Sequence, residues 1–154
     1  MYDMALDPSI PVFVGGLVSG WIWTPGQSGK NYIQTVEGGN PKSHARDKHG
    51  PDATDADLIS AARNSSKAQT RFSDENEMAA VVNNVLTTNQ ADIANRANAG
   101  KPGTFDYTGS TVNYTGWQNV SGTIVPVSGK APAKVVIWYD GNGNWGLYTT
   151  YPIP

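Results

Sequence analysis

The apolar pattern of this chain changes period once, and that change limits the fold more than any other feature. From about residue 43 to 99 the spacing is helical. Met78, Val81, Val82, Val85 and Leu86 recur at i, i+3, i+4, i+7 and i+8, which puts one face of a helix into a core, with Ile93 extending the stripe. Ser73 reads as the cap of this helix, with Asp74 and Glu75 in its first turn. A shorter helix opens at Asp55-Ala56-Asp57 and runs to Arg63, with acids in its first turn and a base in its last. Gly100-Lys101-Pro102-Gly103 ends the helical zone.

Beyond it, from about 104 to 152, short Thr-, Val- and Tyr-rich runs are separated by Gly109, Gly116, Gly122 and Gly129. The clearest element is a hairpin with Lys134 to Tyr139 as one strand, Asp140 to Asn144 as the turn and Trp145 to Tyr151 as the return. A two-residue period puts Trp145, Leu147, Thr149 and Tyr151 on one face of the return strand. Helices first and antiparallel strands afterwards predict an α+β fold, N-terminal helices packed on a C-terminal antiparallel sheet.

Residues 1 to about 42 are rich in Gly and Pro. Ile10, Val12, Val14, Trp21 and Trp23 alternate, which suggests extended structure. Residues 1–42 therefore read as a linker or delivery-associated segment docking on a body of residues 43–154. Met1-Tyr2-Asp3-Met4 carries an acid where a signal peptide has a basic region, so the opening reads as a cut inside a longer protein. The apolar run Val12 to Trp23 contains three glycines and is too short to span a bilayer.

Composition narrows the chemistry. The absence of cysteine among 154 residues excludes a disulfide scaffold, a thiol nucleophile and a Cys-ligated metal site. The net charge of −2 argues against a broad phosphate-binding stripe, so any nucleic-acid contact must be local. No dinucleotide fingerprint or phosphate-cradling Gly-Lys-Ser loop is present, and no cofactor is implied. The histidines are His44 and His49. Five residues apart on a helix leaves them about 140° around the axis, a poor spacing for two ligands of one metal.

Alone, His49 reads as a surface residue in a hydrophilic loop. Its neighbours raise it, because Lys42, Arg46 and Lys48 surround it and Arg63 follows one short helix later. Phosphodiester chemistry needs a proton acceptor near neutral pH and a fixed cation, which His and Arg supply. Arg63 also reads simply as a helix C-terminal charge. Thr70 and Arg71 lie just ahead of the long helix and are candidates to face the same site. Trp138, Trp145 and Tyr148 read as core or sheet-surface residues.

One order of motifs resembles a known family. It runs His44-x4-His49-Gly50, Leu58 with Arg63 five on, Thr70-Arg71-Phe72-Ser73-Asp74, a long Asn-rich helix, and Thr149-Thr150-Tyr151-Pro152 at the end. It resembles the bacterial RNase A-like toxin domains of contact-dependent inhibition and other polymorphic toxins. Those sit within a wider group of barnase-, EndoU-, colicin- and RelE-like ribonucleases. The resemblance spans about residues 43 to 152. It implies a catalytic set of His49, Arg63, Thr149 and Tyr151, with Lys48, Arg46, Thr70 and Arg71 near the substrate. It also implies metal-independent RNA cleavage, a cognate immunity protein of acidic character, and a secreted parent polypeptide acting in a target cell's cytoplasm. Two other readings remain open from residues alone. One is a toxin acting on NAD; the other is a non-catalytic glycan-binding or adhesion module built on the Gly-, Trp- and Tyr-rich β zone.

Overall fold

The computed structural model of the chain describes residues 21–98 and 100–154. The side chains of Arg46 and Asp47 lie outside the described residues, as do Ile10, Val12 and Val14. Among the described residues the order is α1 (Gly29–Val36), α2 (Ala45–His49), α3 (Asp55–Arg63), β1 (Gln69–Phe72), α4 (Glu75–Thr88), α5 (Gln90–Ala97), β2 (Gly103–Val120), β3 (Thr123–Tyr139) and β4 (Trp145–Pro152). The strands form one antiparallel sheet in the order β1-β2-β3-β4. The fold is α+β. No helix among the described residues is long and apolar enough to cross a membrane.

The apolar stripe of α4 does what its spacing requires. Met78, Val81, Val82, Val85 and Leu86 are all buried, and the helix lies across β2 and β3. Its cap is Asp74, one residue later than Ser73: the Asp74 carboxylate accepts the Glu77 amide at 2.8 Å. A carboxylate is the stronger acceptor at the positive end of a helix, so it takes the position. Ile93 is fully buried as expected, but on α5, after a break at Asn89. Helix α3 has the expected bounds, with Thr54 as its cap.

Two elements go beyond the sequence reading. Helix α1 lies in the Gly- and Pro-rich zone and contributes Tyr32, Ile33 and Val36 to the same core as α4. Trp21 joins them, set edge-on to Trp145 with ring centroids 4.5 Å apart. Strand β1 interrupts the helical zone, pairing Thr70 with Gly116 and Phe72 with Tyr114.

The β zone is two long strands, not many short ones. Of the four glycines expected to separate runs, Gly122 alone turns the chain. Ser121 and Gly122 have φ of 53° and 91°, the left-handed pair of a two-residue hairpin turn between Val120 and Thr123. Gly129 lies inside β3 with φ of 155°, and Gly109 and Gly116 lie inside β2 where another group comes close. A Cβ on Gly109 would meet Val81 of α4 at 2.6 Å, and one on Gly116 would collide with the Gln69 carbonyl. Close approach, not chain reversal, selects glycine there.

Strand β4 departs from simple alternation. Ile137 pairs with Leu147 but Val136 pairs with Thr149, so Tyr148 is an extra residue. Cross-strand partners share a face. Trp145 and Leu147 therefore join the core face with Tyr139 and Ile137, and after the bulge Thr150 and Pro152 take that face, opposite Val135 and Ala133. Thr149 and Tyr151 share the other face, opposite Val136 and Lys134. The expectation that all four odd-numbered residues share one face is corrected by this single insertion.

The sheet also curls. Although β1 and β4 are its opposite edges, the Thr70 hydroxyl donates to the Pro152 carbonyl at 2.9 Å. The two edges meet in a seam.

Candidate active site

Helix α2 sits over the seam between β4 and β1. The chain entering it lies along β4: the His44 amide donates to the Tyr148 carbonyl at 2.9 Å, and the Ser43 hydroxyl to the Leu147 carbonyl at 2.7 Å. These bonds use edge acceptors that pairing with β3 leaves free. Ala45 anchors the helix in the core, fully buried, and its amide donates to the Glu37 carboxylate at 3.2 Å.

This docking sets both histidines against the aromatic residues of β4. The His44 and His49 rings are 6.1 Å apart, centroid to centroid. His44 meets Tyr148 edge-on at 5.1 Å, and His49 lies 5.2 Å from Tyr151. The helical angle between the two histidines does not keep them apart, because His44 precedes α2 and follows the β4 edge instead. Tyr148 reaches His44 because it is the bulge residue. Neither His44 nor Tyr148 stood in the expected catalytic set, and the bulge that brings Tyr148 in has no signature in the local sequence.

His49 has a defined tautomer. Its Nδ1 lies 3.0 Å from the Thr70 carbonyl oxygen, which can only accept, so Nδ1 carries the hydrogen. The lone pair of Nε2 is left to act as a base. Burial lowers the imidazole pKa to about 4, and the nearby His44 and Lys48 charges add to the fall against the opposing bond from Thr70. The ring is therefore neutral at pH 7. Thr70 thus serves the site through its backbone, while its own hydroxyl closes the seam.

Thr149 is buried, and its hydroxyl oxygen has no hydrogen-bond partner among the described residues. Such a group costs about 1–3 kcal/mol unless something bonds to it.

The two arginines differ. Arg71 donates from Nε to the Thr115 hydroxyl at 2.9 Å and from its two terminal nitrogens to the Ala53 carbonyl and the Asp55 carboxylate, each at 2.7 Å. It ties β1, β2 and the start of α3 together. Bonds from the Trp117 indole and from Arg71 hold the Asp55 carboxyl below its ordinary range. Arg63, at the end of α3, is exposed, and its side chain makes no hydrogen bond or ion pair with the described residues; its carbonyl accepts from Asn119 at 3.4 Å. No ring contact or bond joins Arg63 to the His–Tyr cluster. Lys48 is exposed on α2. Of the expected catalytic residues, His49 and Tyr151 are in contact, Thr149 shares the Tyr151 face, and Arg63 stands apart. Among the described residues no three His, Asp or Glu side chains gather as a metal would require.

No family model matches the chain, and no curated protein matches it. A similar solved structure is the crystal structure of a CdiA-CT/CdiI complex from Y. kristensenii 33638. It is 24% identical, covers 69% of this chain and 95% of that chain, and has a TM-score of 0.48.

Proposed function

We propose that the protein is an endoribonuclease toxin that cleaves RNA without a metal, using the substrate's own 2′-hydroxyl as nucleophile. One observation carries this reading: a neutral imidazole with a free Nε2, His49, meets a second imidazole and a phenol at one seam. Transesterification at phosphorus needs a base on one side of the phosphate and an acid on the other.

His49 Nε2 takes the 2′-proton, the 2′-oxygen bonds to phosphorus, and the bond to the 5′-oxygen breaks. His44 returns a proton to that leaving oxygen. Tyr151 donates a hydrogen bond to a non-bridging phosphate oxygen, where charge builds in the transition state. The Thr149 hydroxyl, which bonds to none of the described residues, is the proposed second donor to the same group. The products are a 2′,3′-cyclic phosphate and a 5′-hydroxyl. Arg63 is the proposed mobile cation, since its guanidinium is uncommitted where that of Arg71 is already engaged. Lys48 on α2 adds local positive charge beside the cluster. DNA lacks the nucleophile and is spared.

The motif order shared with contact-dependent inhibition toxins supports the biological side of the reading. The domain is then the payload of a secreted polypeptide, active in the target cell's cytoplasm and held inactive in its producer by an immunity protein. An acidic partner fits the mixed basic groups around His49.

The test is incubation of the purified protein with total RNA in EDTA, and separately with NAD. RNA fragments ending in cyclic phosphate, formed by the wild type and lost in His49→Ala, are expected. Intact RNA alongside consumed NAD overturns the assignment.

A further inference from the structure

Tyr151 belongs to two places at once. Its ring touches His49, and it also forms part of the wall of a groove of about 670 Å³. This lies within the ~300–1,000 Å³ typical of ligand sites. Lys67, Tyr114, Gln118 and Lys134 line the same groove. Its floor is fixed: the Ile153 amide donates to the Pro132 carbonyl at 2.8 Å, holding the segment after β4 in place.

The lining has the chemistry of a nucleotide. Tyr114 lies opposite Gly129 in the β2–β3 register, and a Cβ on that glycine would lie 3.6 Å from the ring. The Tyr114 hydroxyl and the half-buried Gln118 amide make no hydrogen bond with the described residues. Lys134 is paired with Asp106 at 3.1 Å, and Lys67 is exposed at the rim.

We propose that this groove is a subsite for single-stranded RNA, holding the nucleotide next to the scissile phosphate, with Tyr114 as stacking platform and Gln118 as reader of the base edge. The proposal rests on the ribonuclease reading for the identity of its ligand. Tyr151 joins the two sites, so a strand lying in the groove delivers its next phosphodiester to His49. Lys67 contacts the phosphate on the far side of the bound nucleotide. Stacking tolerates any base, whereas an amide distinguishes donors from acceptors, so base preference at this position belongs to Gln118.

The experiment uses the full chain and an uncleavable probe, a 2′-O-methyl oligoribonucleotide of mixed sequence, titrated by fluorescence anisotropy. Tyr114→Ala is expected to bind it about ten- to hundredfold more weakly than wild type, with Tyr114→Phe close to wild type. Gln118→Ala is expected to flatten the preference among probes that differ in one base, and Lys67→Gln to reduce the salt dependence of binding. Unfolding midpoints are measured for each variant; if Tyr114→Ala does not fold, Gln118→Ala and Lys67→Gln decide. Unchanged affinity and unchanged base preference in the folded variants overturn the subsite. Because the probe cannot be cut, the outcomes separate. A protein that binds it through Tyr114 yet cleaves no RNA keeps the subsite and loses the proposed reaction. One that cleaves RNA but ignores the groove variants keeps the reaction and loses the subsite.

Discussion

The two halves of β4 are eight residues of one strand built on opposite principles. Before the bulge, Trp145 and Leu147 are 2% and 0% exposed and face the helices, where α1 and Trp21 pack. After it, Thr149 and Tyr151 turn away from that core, and one of them has a buried hydroxyl that no atom of the described residues satisfies. The first half lowers the free energy of folding; the second forgoes part of that gain to hold polar groups at a seam. One inserted residue, Tyr148, separates them, and it touches His44. A bulge is thus the device by which a core strand becomes a site strand without a change of element.

The contrast is broken most severely by moving the effect of one half onto the other. His49→Ala removes the proposed base that Tyr151 touches. A loss of about 10²–10⁴ in RNA cleavage is expected, with the unfolding midpoint lowered only modestly, through the lost bond to the Thr70 carbonyl. Leu147→Ala acts in the opposite sense. It opens a cavity under a fully buried side chain and is expected to cost about 2–5 kcal/mol in urea unfolding, with activity per folded molecule retained. If Leu147→Ala abolishes turnover in protein that is still folded, or His49→Ala unfolds the chain, the division of β4 into packing and chemical halves is wrong.

The same division decides what the sequence revealed. Apolar spacing located α4, the bounds of α3 and the terminal hairpin, because each is dictated by local period and local caps. The basic neighbours of His49 singled it out as a candidate, and the two-residue period put Thr149 and Tyr151 on a common face, which they keep. What escaped depends on distant pairing. Strand β1 is four residues whose identity as a strand comes from β2. Helix α1 is held by contacts with α4 that Gly- and Pro-rich surroundings do not announce. Gly109 and Gly116 resemble turn signals until the groups pressing on them are known. The partnership of His44 with Tyr148 needs both a bulge and a docked edge, and alternation along one strand encodes neither.

Acid sharpens the comparison further. Above pH 6.5 His49 is neutral in both the folded and the unfolded chain, and its burial adds no pH dependence. As pH falls from 6.5 towards 4, the unfolded chain takes up a proton that the folded one refuses, so stability is lost. The loss reaches about 3 kcal/mol near pH 4 and then stops growing. Urea midpoints from pH 7 to 4.5 should fall more steeply for wild type than for His49→Gln; equal slopes contradict a ring held neutral by burial. The kcat/KM profile carries the same signature. Its acid limb should bend near pH 4, not at the ordinary imidazole value, since the free enzyme keeps its base unprotonated down to that point.

The smallest effect tests the second half of β4 at a single atom. Thr149→Val keeps the shape of the side chain and removes an oxygen that is buried and unpartnered. A hydroxyl with a purely structural role would have a bond to lose, and its removal would destabilise the fold. Here there is none, so the variant is expected to be as stable as wild type or more stable by about 1 kcal/mol, within the cost of an unsatisfied buried group. Activity should move the other way, falling roughly tenfold, the worth of one hydrogen bond to a charged phosphate. The pairing of those two signs matters more than either size. Stability and activity falling together would mean that Thr149 is bonded within the folded protein and belongs with Leu147, on the packing side of the bulge. Stability rising while cleavage falls would mean that the orphaned oxygen is kept for a substrate.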